Sequence, residues 1–252
     1  MRAIVLHAAA ALALTASRPA LAAADYAALD AKAAALMAEH DLPGLAYAVI
    51  EDGQVAHVRA LGWRNVEKRL PLRTDTVMYA ASISKAAFAY YVLMLVDDGV
   101  LDLDRPLAAY LPKPLPDYPF YADLGADARW RTITARRLLT HSSGLADQRF
   151  LEPDGKFRFK LEPGTRYAYS NEGVNLLQFV IEQGLGRQVG AEMDRRIFAP
   201  LGMTRSSMIW RDDFKDNLRT ATTPTASGRR TTTAPASRRP ARSTPPSTTW
   251  PG

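Results

Sequence analysis

Between Asp75 and Asp97 the chain is apolar at nearly every position and carries a single charge, Lys85, three residues after Ser82. Such a run predicts a helix apolar almost all the way round, buried inside a domain rather than lying on a surface. It is too short, and too interrupted by Lys85, to span a bilayer. Asp97, Asp98 and Gly99 supply its stop. Upstream, residues 26–40 read as an Ala-rich amphipathic helix ended by Asp41, Leu42, Pro43 and Gly44. Residues 45–50 and 55–61 are rich in Val, Ala and other aliphatics and flank Asp52-Gly53, a two-residue turn signal, so they predict a β-hairpin. Shorter helices are predicted over 104–110, over 134–140 behind a Thr134 cap, over 171–182 and over 190–198. Between the first two of these lies an irregular stretch holding Pro112, Pro114, Pro116 and Pro119 with Tyr118, Phe120, Tyr121 and Trp130. Two readings of it stay open: the rim of a cleft, or a surface loop held by its own aromatics.

The chain has 252 residues, 47% of them hydrophobic, enough for one large core or two small ones. Residues 1–22 have a short basic start at Arg2, an apolar stretch, and an Ala20-Leu21-Ala22 cleavage pattern, which predicts a signal peptide and export to the periplasm or beyond. There is no cysteine, and His7, His40, His57 and His141 show no ligand spacing, so neither a metal nor a cofactor is expected. The net charge of +6 would suggest an acidic partner, but Arg219, Arg229, Arg230, Arg238, Arg239 and Arg242 account for all of it. The remainder is balanced, and no nucleic-acid partner is expected, since aromatic interleaving is lacking.

From Arg219 onward only Ala, Thr, Pro, Ser, Arg, Gly and Trp occur, a composition unable to fold alone. All seven are encoded by codons with G or C in the middle position. In a GC-rich gene a shifted reading frame yields that alphabet, so residues 219–252 read as a frameshift product in preference to a Pro- and Thr-rich linker. A domain over 25–218 is expected ahead of this disordered tail.

The chemistry centres on Lys85. A buried ammonium must be paired or neutral. Positions three apart share a helix face, so the Ser82 hydroxyl and the Lys85 amine would meet at a helix start, where backbone N–H groups lack intrahelical acceptors. That places a nucleophile, its proton acceptor and half an oxyanion hole together. His141 lies among serines in RRLLTHSSGL without a GxSxG elbow, and reads as structural.

Ser82-Ile83-Ser84-Lys85 has the Ser-x-x-Lys pattern. With LLTHSSGL and the Tyr169-Ser170-Asn171 of EPGTRYAYSNEG, it resembles the serine β-lactamase and penicillin-binding protein family, closest to the branch of class C β-lactamases, D-alanyl-D-alanine carboxypeptidases and esterase-like hydrolases. The resemblance covers about residues 25–216. It implies an α+β fold: an antiparallel sheet flanked by helices plus a mostly helical region, with the site at their junction. It assigns Ser82 as the acylated nucleophile, Lys85 as the group that assists its deprotonation, Tyr169 as proton relay and Asn171 as substrate-binding. On the residues alone, Tyr169 could be a core tyrosine and Asn171 a helix cap. No Lys-Thr-Gly or His-x-Gly follows Asn171, so the family's third motif, and with it the C-terminal part of the fold, is expected to be missing. The function implied is an exported serine hydrolase acting on a β-lactam, a D-Ala-D-Ala stem peptide or a small ester. The alternative is an inactive truncated member, or one that binds penicillin or peptidoglycan without turnover. A small-molecule or peptidoglycan-derived partner follows; oligomeric state does not.

Overall fold

The computed structural model describes residues 26–220 and the backbone of 222–224 and 230–232. The signal-peptide segment and most of residues 219–252 lie outside the described residues. The six late residues form two short antiparallel strands. Helices and an antiparallel sheet give the expected α+β composition, divided between two compact units.

The first unit comprises residues 26–63 and 70–74. Helix α1 (Tyr26–Glu39) is followed by strands β1 (Gly44–Glu51), β2 (Gln54–Asn65) and β3 (Leu70–Pro71), in sheet order β1-β2-β3. β1 and β2 pair antiparallel from Gly44↔Gly62 to Glu51↔Gln54, with a slip between Val49 and Ile50. The turn works because Asp52 and Gly53 both take positive φ, 48° and 75°, matching the twist of the hairpin. α1 buries only Ala33 and Met37, so apolar packing alone holds it weakly. A polar clasp adds to it. The Asp30 carboxylate accepts from the Tyr47 hydroxyl, meets His57 Nε2 at 2.8 Å and pairs with Arg59 Nε at 3.2 Å. Tyr26 stacks on the His57 ring at 4.7 Å.

The second unit comprises residues 64–69 and 75 onward. Its helices are α2 (Ser84–Asp97), α3 (Ala135–Leu139), α4 (Asn171–Leu185) and α5 (Val189–Met193), the last continuing as a π-turn, Asp194–Phe198. α2 gives Phe88, Tyr91, Val92 and Leu95, at i, i+3, i+4 and i+7, to a core that also holds Leu138, Leu177, Val180, Ile181 and Met193. The helix is therefore one-sided, contrary to its uniformly apolar sequence. Tyr90 is 56% and Leu93 45% exposed, and Lys85 is half-buried.

The proline-rich stretch is not a surface loop held by its own aromatics. The helix expected over 104–110 is only a 3₁₀ turn, Leu107–Tyr110, and the stretch after it continues in 3₁₀ turns, Leu115–Asp117, Pro119–Leu124 and Ala128–Thr132, that insert Leu115, Tyr121, Leu124 and Trp130 into the core. Pro116 and Pro119 sit in first turns, where their missing N–H costs little.

The segment leading to Ser82 is held from far along the chain. Val77 N–H donates to Asn217 O (3.0 Å), and Arg219 N–H donates to Val77 O (2.8 Å). Asn217 Nδ2 donates to Asp75 O (2.7 Å). Thr220 is bonded to Arg64 and Asn65, so ordered contacts run two residues past the expected boundary at 218.

Candidate active site

Ser82 lies in a single 3₁₀ turn, Ala81–Ile83, immediately before α2, rather than in the helix itself. Ala81 takes φ = +46°, a left-handed conformation that costs an L-residue about 1–2 kcal/mol. The turn leaves Ser82 solvent-exposed. One turn later Lys85 Nζ donates to Ser82 Oγ at 3.1 Å, and Ser82 Oγ stands 2.8 Å from Tyr169 Oη. Lys85 Nζ also sits 5.3 Å from the centre of the Tyr169 ring. The three side chains that the Ser-x-x-Lys and Tyr-x-Asn patterns single out are thus in mutual contact, 87 residues apart in sequence.

Asn171 is brought to the same place. Its Oδ1 accepts from Tyr169 Oη at 3.4 Å, while its Nδ2 and backbone N–H both donate to Asp147 Oδ1, at 2.8 and 3.0 Å. The cap of α4 is not Asn171 but Ser170, whose Oγ accepts from Gly173 N–H at 2.9 Å and donates to Ala146 O at 2.8 Å. Ser170 is buried, so the middle residue of the Tyr-Ser-Asn phrase fixes the directions of the outer two.

Burial works to raise the Tyr169 phenol, but hydrogen bonds from Lys85 and Ser82 and the Lys85 charge outweigh it, and the pKa falls below the ordinary tyrosine value. A phenol lowered in this way is a competent proton acceptor for a hydroxyl 2.8 Å away. Among the described residues no group of three acidic, histidine or cysteine side chains is arranged to hold a metal ion.

Sequence reasoning missed Asp147, which fixes the Asn171 amide, and missed Arg149 and Glu172. Glu172, almost wholly buried, accepts from Arg149 Nε at 3.0 Å and from Arg149 N–H at 3.2 Å. The Arg149 guanidinium lies over the Phe120 ring at 3.7 Å. The available signal was an acidic residue directly following each of two motifs, Asp147 after SSGLA and Glu172 after Tyr-Ser-Asn.

The family profile described as Beta-lactamase matches residues 29–248. The chain is 31% identical over 188 residues to penicillin-binding protein 4 of Amycolatopsis lactamdurans, covering 69% of this chain and 47% of that protein. It is 32% identical over 201 residues to esterase EstB of Burkholderia gladioli, covering 69% and 49%. The structure of the octameric penicillin-binding protein homologue from Pyrococcus abyssi superposes with a TM-score of 0.67 at 26% identity, covering 83% of this chain and 50% of that one. The chain spans about half the length of these relatives.

Proposed function

The chain belongs to the β-lactamase family of serine hydrolases, and from that premise we propose that it cleaves an amide or ester through an acyl-Ser82 intermediate. The observation that carries this reading is Ser82 Oγ lying 2.8 Å from the Tyr169 phenol and 3.1 Å from the Lys85 amine. In the proposed cycle the Ser82 proton passes to the Tyr169 oxygen as Oγ bonds to the substrate carbonyl carbon. The Lys85 ammonium stabilises the phenolate that receives it. Tyr169 then protonates the leaving amine or alcohol as the C–N or C–O bond breaks. The same phenolate takes a proton from the water that releases the acyl group and returns it to Ser82. The Ser82 backbone N–H, in a first turn, is the donor we assign to the developing oxyanion. Asn171, held by Asp147, is assigned to the substrate's amide side.

The substrate classes proposed are a β-lactam, a D-Ala-D-Ala stem peptide or a small ester, supported by relatives named as a penicillin-binding protein and an esterase. Export is proposed from the leader pattern of residues 1–22. No helix of the described residues is long and apolar enough to cross a membrane.

The test is acylation by a fluorescent penicillin and by a fluorophosphonate, read by intact mass beside a Ser82→Ala control. Labelling that the control abolishes supports an activated Ser82. A penicillin adduct that persists without turnover assigns the chain to covalent binding instead, and a folded protein that neither reagent labels sinks the hydrolase reading. Cleavage after Ala22 in a periplasmic fraction tests export.

A further inference from the structure

His141 has no part in the cycle above, yet it brackets Tyr169. Its carbonyl oxygen accepts from Ala168 N–H at 2.7 Å, and its Nδ1 accepts from Ser170 N–H at 3.1 Å. Both N–H groups that flank Tyr169 in sequence therefore end on one residue. The imidazole also packs on the Tyr169 ring, with centroids 4.4 Å apart and planes 33° apart, and meets the edge of Tyr167 at 5.8 Å. To reach this place His141 adopts φ = +52°, a strained conformation for a non-glycine residue.

We propose that His141 is a positioning residue for acyl transfer, fixing the Tyr169 phenol at hydrogen-bonding distance from Ser82 by holding the backbone on both sides of it and its ring from below. This rests on the reading of Tyr169 as the proton relay. Accepting through Nδ1 requires a neutral imidazole protonated on Nε2. Burial first, and then the Lys85 charge, lower the His141 pKa in that direction, with Asp147 opposing. His141 brings three properties to this place: an acceptor one atom beyond Cγ, a flat ring, and tolerance of positive φ. Phenylalanine keeps the ring without the acceptor. Asparagine keeps the acceptor and suits positive φ but lacks the ring.

The full chain is compared with H141F, H141N and H141Q by fluorophosphonate labelling rate at Ser82, by kcat and KM on a p-nitrophenyl ester, and by the ¹³Cζ resonance of Tyr169. A misplacement of about 1 Å in a reacting group costs on the order of 10²-fold. The expected result is a loss of that order in labelling and kcat for H141F at unchanged KM, with H141N restoring most of it, and a Tyr169 resonance displaced in H141F and returned in H141N. H141Q puts its acceptor one methylene too far and serves in place of H141F should that variant not fold. Wild-type rates in folded H141F and H141Q overturn the proposal. If the wild-type chain itself fails to label, the Ser82 reading has failed, and the resonance alone decides the positioning: unchanged in the variants, it overturns the role assigned to His141.

Discussion

At the scale of single residues, the site depends on one phenol. Tyr169→Phe removes the proton acceptor 2.8 Å from Ser82 while leaving the ring against His141, so labelling of Ser82 should slow by about 10²–10⁴-fold with little change in Tm. Lys85→Met removes the main influence that lowers the phenol, so any remaining activity should need higher pH, its acid limb moving upward in a pH–rate profile. His141 supplies a stability term of defined sign. Its folded pKa lies below the ordinary value near 6.5, so the contribution is complete above that pH and is lost as pH falls through the folded pKa. The Tm of H141N should accordingly vary less than wild type between neutral and mildly acidic pH. Ser82 with Lys85, and Tyr169 with Asn171, stood out in the sequence because each pair lies within one short pattern, whereas the meeting of the two pairs across 87 residues left no trace there. Asp147 and the bracketing by His141 were not, since a side chain's partner across 24 or 29 residues leaves no periodic trace.

At the scale of elements, the strained turn that presents Ser82 makes its own prediction. Ala81→Gly relieves a positive φ at some cost in chain entropy, and should raise stability by about 0.5–1 kcal/mol, read as a Tm increase of roughly 1–4 °C. Gly144→Ala should act in the opposite sense, losing at least about 2 kcal/mol, because φ is +74° there and an added Cβ would lie 2.2 Å from Leu161 O. Arg149→Met strands the Glu172 carboxylate in the core and should cost about 3 kcal/mol, measurable by urea unfolding. The hairpin and the longer helices were readable from alternation, breakers and caps, Thr134 among them, with its Oγ accepting from Arg137 N–H. The proline-rich stretch was not: nothing in the order of Leu115, Tyr121, Leu124 and Trp130 has a period, and their burial follows from irregular turns entering the core, where Tyr118 and Tyr121 meet Phe179 of α4. The outward face of α2 was misread because an apolar residue can be exposed without any change in sequence pattern.

At the scale of the whole molecule, each unit has its own device for holding what its core does not. In the first, Asp30 ties α1 to both strands of the hairpin. Hydrogen bonds from Tyr47, then His57, lower its carboxyl, so the tie is complete above the ordinary carboxylate range and is lost as pH falls through the lowered value. The protection factors of the α1 amides, taken against intrinsic exchange at each pH, should therefore fall in Asp30→Asn at neutral pH and fall no further on acidification. In the second, the approach to Ser82 is secured by Asn217, whose partner Asp75 lies 142 residues earlier. That separation sets an order in time. At roughly 5–20 residues per second, synthesis of the intervening chain takes on the order of ten seconds. Throughout that interval the nascent polypeptide already displays its nucleophile, but without the late residues that pin the strand before it. Acquisition of reactivity would therefore mark the arrival of Asn217 rather than of Ser82, and reagent capture on stalled ribosomes would serve as a clock of synthesis.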